Sequence, residues 1–299
     1  MSTLGTLFEK FIRERQYINN LSPRTIRYSR ACFDSFKTHT ASNDIQLESL
    51  NPVDLSIEML TEYVIGLSKS GVKPVSVDSY VRGLNCFFAW LQRNGHTVQR
   101  LRIPRPRFES ELPRTLNQSE IAALVQLKPR TQTLRRVHAI ALVCLDTGCR
   151  VKEVLGLRLA DIDLDTMVLR VLGKGRRERL VPFSPELRRV LFRWIEAERK
   201  RRKLVHKGEL VFGTRDGLRL RYDNARRDYR KLLSQAGIDN PGGFHKLRHT
   251  FATEFIRSGR GEILLSRILG HTTLDMTRRY VQSNVEDLRG CSPLTRVRH

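Results

Sequence analysis

Apolar positions in the first hundred residues recur with a helical period. Leu4, Leu7, Phe8, Phe11 and Ile12 fall at i, i+3, i+4, i+7 and i+8, which predicts one amphipathic helix. Ser22-Pro23 offers an N-cap and a first-turn proline to a second helix carrying Ile26, Phe33 and Phe36. A third is predicted from Ile57 to Leu67. Gly71 and Pro74 break the chain before a fourth, which starts near Val75, lines up Val77, Tyr80, Val81, Leu84, Phe87, Phe88 and Leu91, and stops at Gly95. Four such helices with short connections predict a small helical domain over residues 1–103.

The helical period then lapses. Residues 104–114 hold Pro104, Pro106 and Pro113 among many charges, the pattern of an extended basic linker that would suit a strap along a phosphate backbone. A second domain is expected over 115–299. It opens on Asn117-Gln118-Ser119-Glu120, a cap with Glu at the third helical position, followed by Ile121, Leu124 and Val125. Val137 to Leu145 is apolar almost all round, so it is expected to be a core helix, ended by Gly148. Met167–Val171 and Arg179–Pro182 flank the turn Gly173-Lys174-Gly175-Arg176-Arg177 and predict a β-hairpin. Helices resume from Ser184-Pro185, over about Tyr222–Ala236, and from His245 onward. The expected fold class is mainly α with a small β-hairpin or sheet (α+β).

Charge narrows the partner. The 299 residues carry 54 Lys+Arg against 31 Asp+Glu, a formal net charge of +23. Such an excess repels itself unless a polyanion is the normal partner, and nucleic acid is the expected one. The imbalance is steepest after residue 105, where 40 basic side chains face 22 acidic ones. Arg199 to Lys203 is a charge run, read as a solvated helix end. Five cysteines without a CxxC pair speak against a disulfide framework and a zinc site, and favour a reducing cytoplasm. No secretory signal is recognisable, and the longest apolar run, Val137–Leu145, is too short to span a bilayer.

Candidate chemistry sits in four ordered islands: Thr147-Gly148-Cys149-Arg150, His245-Lys246-Leu247-Arg248-His249, Leu269-Gly270-His271 and Arg279-Tyr280. Phosphodiester cleavage needs charge neutralised on the non-bridging oxygens, a nucleophile, and a proton for the leaving oxygen. Metal enzymes do this with clustered carboxylates. The islands contain none, and Asp161, Asp163 and Asp165 lack the glycine and closing Glu of a calcium loop. Arginine is the alternative, because it stays protonated and offers bidentate donors to phosphate. Arg150 follows a Gly-Cys break at a helix end. Arg248 lies three residues after His245, which predicts one shared helix face.

At these islands the chain resembles the tyrosine recombinase family of phage-integrase and Xer-like enzymes. Thr147–Leu157 is similar to its first arginine box and His245–Thr253 to its His-x-x-Arg box, while Leu269-Gly270-His271 and Tyr280 match the closing histidine and the nucleophile. The motifs span roughly residues 114–285. The resemblance implies that Tyr280 attacks the scissile phosphate to form a 3′-phosphotyrosyl link and a free 5′-hydroxyl, without metal, cofactor or ATP. It implies that Arg150 and Arg248 hold the non-bridging oxygens, Lys174 protonates the leaving oxygen, His245 acts as base or phosphate donor, and His271 donates a hydrogen bond. None of Tyr17, Tyr63, Tyr80, Tyr222 and Tyr229 follows a Gly-His island by nine residues as Tyr280 does. The helical front domain has a general likeness to the family's core-binding domain. Double-stranded recombination sites and a homo-tetramer, or a related recombinase as hetero-partner, are the implied partners, with the basic stretch Asn284–His299 packing on a neighbouring protomer. No arm-binding domain is recognisable, which favours a simple Xer-like or mobile-element enzyme.

Other residues have plainer readings. Glu153, three after Arg150, either orients Arg150 or His245 or forms a simple helix ion pair. His249 is read as structural and Cys149 as a small buried apolar residue. Two competing functions are a type IB topoisomerase-like nicking-closing enzyme and a non-catalytic regulator using Glu262–Tyr280 as a helix-turn-helix. A regulator needs neither Tyr280 nor Lys174, so the full set favours an enzyme.

Overall fold

The computed structural model describes residues 2–106, 114–173, 178–202, 206, 208–239, 242–259 and 261–270. The chain divides into two compact units, Met1–Ser110 and Glu111–His299.

The first unit is built on α1 (Leu4–Arg13), α2 (Pro23–Ala41), α3 (Ile57–Lys69) and α4 (Pro74–Arg93). Thr3, Ser22 and Ser56 cap the first three through their hydroxyls. The apolar stripes meet in an aromatic core. Phe8 stacks on Phe33 with centroids 3.9 Å apart, and Phe87 stands edge-on to Phe8 at 5.2 Å. Gly83 lets α4 approach α2, since a Cβ there would sit 2.3 Å from Cys32 Sγ. The start of the Pro-rich stretch belongs to this unit. Ile103 is fully buried and exchanges backbone hydrogen bonds with the Asn85 side chain at 2.8 and 3.0 Å. Arg105 forks onto Asp78 at 2.6 and 3.2 Å, so this basic residue is already spoken for within its own unit.

The second unit carries α5 (Gln118–Gln126), α6 (Gln132–Thr147), α7 (Val151–Val154), β1 (Ile162–Asp163), β2 (Val168–Leu172), β3 (Glu178–Pro182), α8 (Pro185–Arg202), α9 (Tyr222–Gln235), α10 (His245–Arg257) and α11 (Glu262–Leu269). The Asn117–Glu120 capping box opens α5 as the sequence predicts. α6 is the axis of the unit: Ala139 to Cys144 are all buried, and α8, α9 and α10 pack around it. The predicted hairpin is present, with Val168 opposite Pro182 and Leu172 opposite Glu178. It gains a short third strand, β1, which the sequence pattern does not reveal because it is two residues long. Among the described residues the tract from His245 forms two helices, the first ending before Ser258-Gly259, where Gly259 takes a positive φ of 76°.

The charge run at the end of α8 corrects its sequence reading. Arg202 is not solvated: its side chain is 5% exposed and pairs with Glu198, which is fully buried. Arg201 also pairs with Glu198, at 2.9 Å, and Arg199 with Glu196. Asp163 caps its own turn, accepting from the Asp165 and Thr166 amides at 2.9 Å. Among the described residues no helix is long and apolar enough to cross a membrane.

Candidate functional site

Of the six sequence-predicted site residues, Arg150, His245 and Arg248 are described; Lys174, His271 and Tyr280 lie outside the described residues. The three described ones converge on the junction that ends α6. Gly148 terminates that helix in the left-handed region, with φ 65°. A Cβ at Gly148 would fall 2.4 Å from Phe251 of α10 and 2.6 Å from Leu269 of α11, so close packing also requires glycine. The chain then turns outward, and Arg150 becomes the N-cap of α7 in extended backbone (φ −69°, ψ 137°).

Arg248 locks this junction. It is 4% exposed, and its guanidinium donates from Nη1 to the Gly148 carbonyl at 2.7 Å and from Nη2 to the Leu269 carbonyl at 2.9 Å. One side chain thus ties the first arginine box to the Leu-Gly-His island. The expected common face of His245 and Arg248 needs refinement: Arg248 points inward, whereas His245, in the opening turn of α10, is exposed. They remain electrostatically linked. Partial desolvation first, then the positive charges of Arg248 and Arg150, hold the His245 imidazole below its ordinary pKa. His249 lies with its ring centroid 6.2 Å from that of His245.

Glu153 orients Arg150. Its Oε2 accepts from the Arg150 amide at 2.8 Å and its Oε1 from Arg150 Nη1 at 3.1 Å. Sequence reasoning missed its second partner, Arg179 of β3, which donates to both Glu153 oxygens at 3.1 and 2.8 Å. The signal was available: strand alternation places Arg179 on the same face as buried Val181, opposite exposed Leu180. Burial pushes the Glu153 carboxyl up, but hydrogen bonds and charge from Arg179, with those from Arg150, more than offset this and hold it below the usual carboxylate range. Cys149 is 1% exposed, and burial pushes its thiol up, which suits a packing residue rather than a reactive one. Among the described residues no group of three or more His, Cys, Asp or Glu side chains is disposed to hold a metal ion.

The arrangement is therefore a set of guanidinium donors, braced by one shared buried carboxylate and by two backbone carbonyls, beside a neutral-leaning imidazole. Chemically it suits an anionic ester.

Residues 114–287 match the model of the phage integrase family. A tyrosine recombinase XerD of Lacticaseibacillus casei is 32% identical over 218 residues, covering 72% of this chain and 74% of its own. A tyrosine recombinase XerC of Oceanobacillus iheyensis is 29% identical across 97% of this chain and 95% of its own. Among solved structures, the XerH site-specific recombinase bound to a palindromic difH substrate superposes with a TM-score of 0.74 at 20% identity, over 94% of this chain and 82% of that one. The Tn1549 transposon integrase in complex with transposon right end DNA gives 0.74 at 17% identity, over 96% and 99%. At those identities the structures speak to the fold, a mainly helical chain with a small sheet. With the family model spanning more than half its length, the chain belongs to the phage integrase family and is a tyrosine site-specific recombinase.

Proposed function

We propose that this recombinase cuts and rejoins duplex DNA through a 3′-phosphotyrosyl intermediate, with Tyr280 as nucleophile. The phenolic oxygen of Tyr280 bonds to phosphorus while the bond from phosphorus to the 5′-oxygen breaks. His245 receives the phenolic proton or supports the phosphate, and Lys174 gives a proton to the departing 5′-oxygen. Arg150 and Arg248 neutralise the non-bridging oxygens, and His271 donates a further hydrogen bond. The ester bond is kept throughout, so rejoining needs neither ATP nor a metal. Residues 1–103 serve as the core-binding domain, 104–114 as the linker and 115–299 as the catalytic domain. Exchange between two duplexes requires four cleavages, which fits four protomers, of this chain alone or with a related recombinase, acting in the cytoplasm.

The observation that carries this reading is the Arg248 bridge between the Gly148 and Leu269 carbonyls, which draws the arginine and histidine islands onto one junction. A net charge of +23 supports DNA as the partner. The test is incubation in EDTA with a pool of randomised duplexes, followed by recovery of covalent protein–DNA adducts. Adducts should form with the wild-type protein and vanish in Tyr280→Phe. Equal adducts from both would remove Tyr280 as nucleophile. A plasmid carrying two copies of the recovered duplex should yield recombinant junctions; relaxation alone would point to a nicking-closing enzyme.

The His245 environment sets a pH expectation. A histidine whose folded pKa is lowered stays neutral down past its ordinary 6.5. With His245 as the proton acceptor, the rate of adduct formation should therefore hold from neutrality through pH 6.5 and decline only in more acid solution. The same shift means that folding stability weakens as pH falls below the unfolded value, since the unfolded chain then binds more protons. His245→Gln should lower the rate by roughly 10²–10⁴ and erase this acid limb. An unchanged limb in that variant would assign it to another group.

A further inference from the structure

Arg179 stands outside the islands, yet it touches two of them. Its side chain is 13% exposed. Nε donates to the Ile268 carbonyl at 2.8 Å, Nη1 and Nη2 to the two Glu153 oxygens, and Nη2 lies 4.0 Å from Cys149 Sγ. Gly270, with a positive φ of 63°, packs so close that a Cβ would be 3.2 Å from Arg179 Cδ. In sequence Arg179 is five residues beyond Lys174, on the strand that leaves the hairpin turn.

The carboxylate of Glu153, with its side chain 7% exposed, is saturated by this arrangement. Oε1 takes Nη1 of both arginines, and Oε2 takes Arg179 Nη2 and the Arg150 amide. Arg150 consequently spends only one side-chain donor on Glu153. Its Nε and Nη2 have no protein partner among the described residues, and the side chain stays 35% exposed. A buried carboxylate must be fully paired. Were Arg179 absent, the lone pairs it fills would draw the Arg150 guanidinium into a bidentate fork on Glu153, turning the donors that are now open inward.

We infer that Arg179 is a positioning residue for Arg150: by occupying Glu153 it keeps the Arg150 fork directed at the scissile phosphate. This rests on the reading of Arg150 as a phosphate ligand. Arg179 itself touches no reacting atom; it acts through Glu153.

The test compares two substrates built on the duplex that the wild-type protein recovers from the randomised pool. One has the natural scissile phosphodiester, the other a methylphosphonate, whose methyl group replaces a charged non-bridging oxygen. On the phosphodiester, Arg179→Met should form adduct about 10²-fold more slowly than wild type, the scale of a misplaced reacting group. On the methylphosphonate, where there is no charge for Arg150 to neutralise, most of that gap should close. A loss equal on both substrates overturns the inference, since a merely structural role would not distinguish them. Arg150→Ala is the control for the underlying reading; if its defect is not relieved by the methylphosphonate, the phosphate-ligand role of Arg150 fails independently. Should Arg179→Met not fold, Arg179→Lys retains the cation without the fork. It should show the same substrate-selective defect in a smaller measure, and a lowered melting temperature without that selectivity again overturns the inference.

Discussion

Arg248→Ala is expected to abolish detectable adduct formation and to loosen the second unit in the same stroke. On the proposed reading, in which Arg248 neutralises the scissile phosphate, the chemical part is the loss of that charged donor, about 3–4 kcal/mol by analogy with other oxyanion sites. The structural part follows from burial. The Gly148 and Leu269 carbonyls each accept from this one guanidinium, and alanine leaves both without it. An unsatisfied buried acceptor costs about 1–3 kcal/mol. Arg248→Lys separates the two parts, because a single ammonium preserves the charge but does not reproduce a planar fork across two carbonyls. The lysine variant should recover some rate while remaining less stable. Adduct kinetics paired with thermal melting measures both effects. An alanine variant that cleaves nearly as fast as wild type would show Arg248 to be a structural bolt alone.

The second large effect is on stability and lies away from the islands. Glu198 is completely buried and receives Arg201, Arg202 and the Gln132 side chain, the last at 2.5 Å. Arg202 also fastens the following segment, donating to the Leu210 and Val211 carbonyls at 3.1 and 3.2 Å. Glu198→Ala leaves Arg202 as a buried cation with no counter-ion among the described residues, a situation that costs about 3–5 kcal/mol. For a unit of this size the melting temperature should fall by roughly 6–20 °C. Glu196 is four-tenths exposed and, among the described residues, pairs only with Arg199, so Glu196→Ala should cost no more than about 1 kcal/mol. Equal shifts in the two variants would mean that Glu198 is better solvated than its burial implies.

These two residues also mark what the sequence discloses and what it withholds. The helices of the first unit, the Asn117 capping box, the hairpin and the Gly148 break were all legible, because each depends on neighbours a few positions apart. The order of the islands gave Arg150, His245 and Arg248 as candidates for the same reason. Legibility stops where charge is buried by distant partners. Glu198 and Arg202 look like any solvated helix end, since the carbonyls of Leu210 and Val211 that receive Arg202 arrive from another segment. Arg179 looks like one more cation in a basic turn, although the alternation of β3 had already turned it inward. The inward direction of Arg248 likewise depends on carbonyls 100 and 21 residues away. Arg105 fits the picture from the other side: a basic linker residue with a sequence-level reading as a phosphate contact is held by Asp78.

One hydrogen bond from the start of the second unit has a mechanical meaning. The Leu116 amide donates to Thr250 Oγ1 at 2.9 Å, in a buried setting, and Thr250 follows Arg248 by two residues on the same helix. Leu116, near the start of the unit, is thus fastened to the helix that carries His245 and Arg248. Its amide proton can exchange with solvent only when that fastening opens, so Leu116 should share the slow exchange rate of the α10 core rather than the fast rate of a chain end. A pull on the Leu116 backbone would therefore be felt at Thr250, and through it by the helix that bears the two candidate residues.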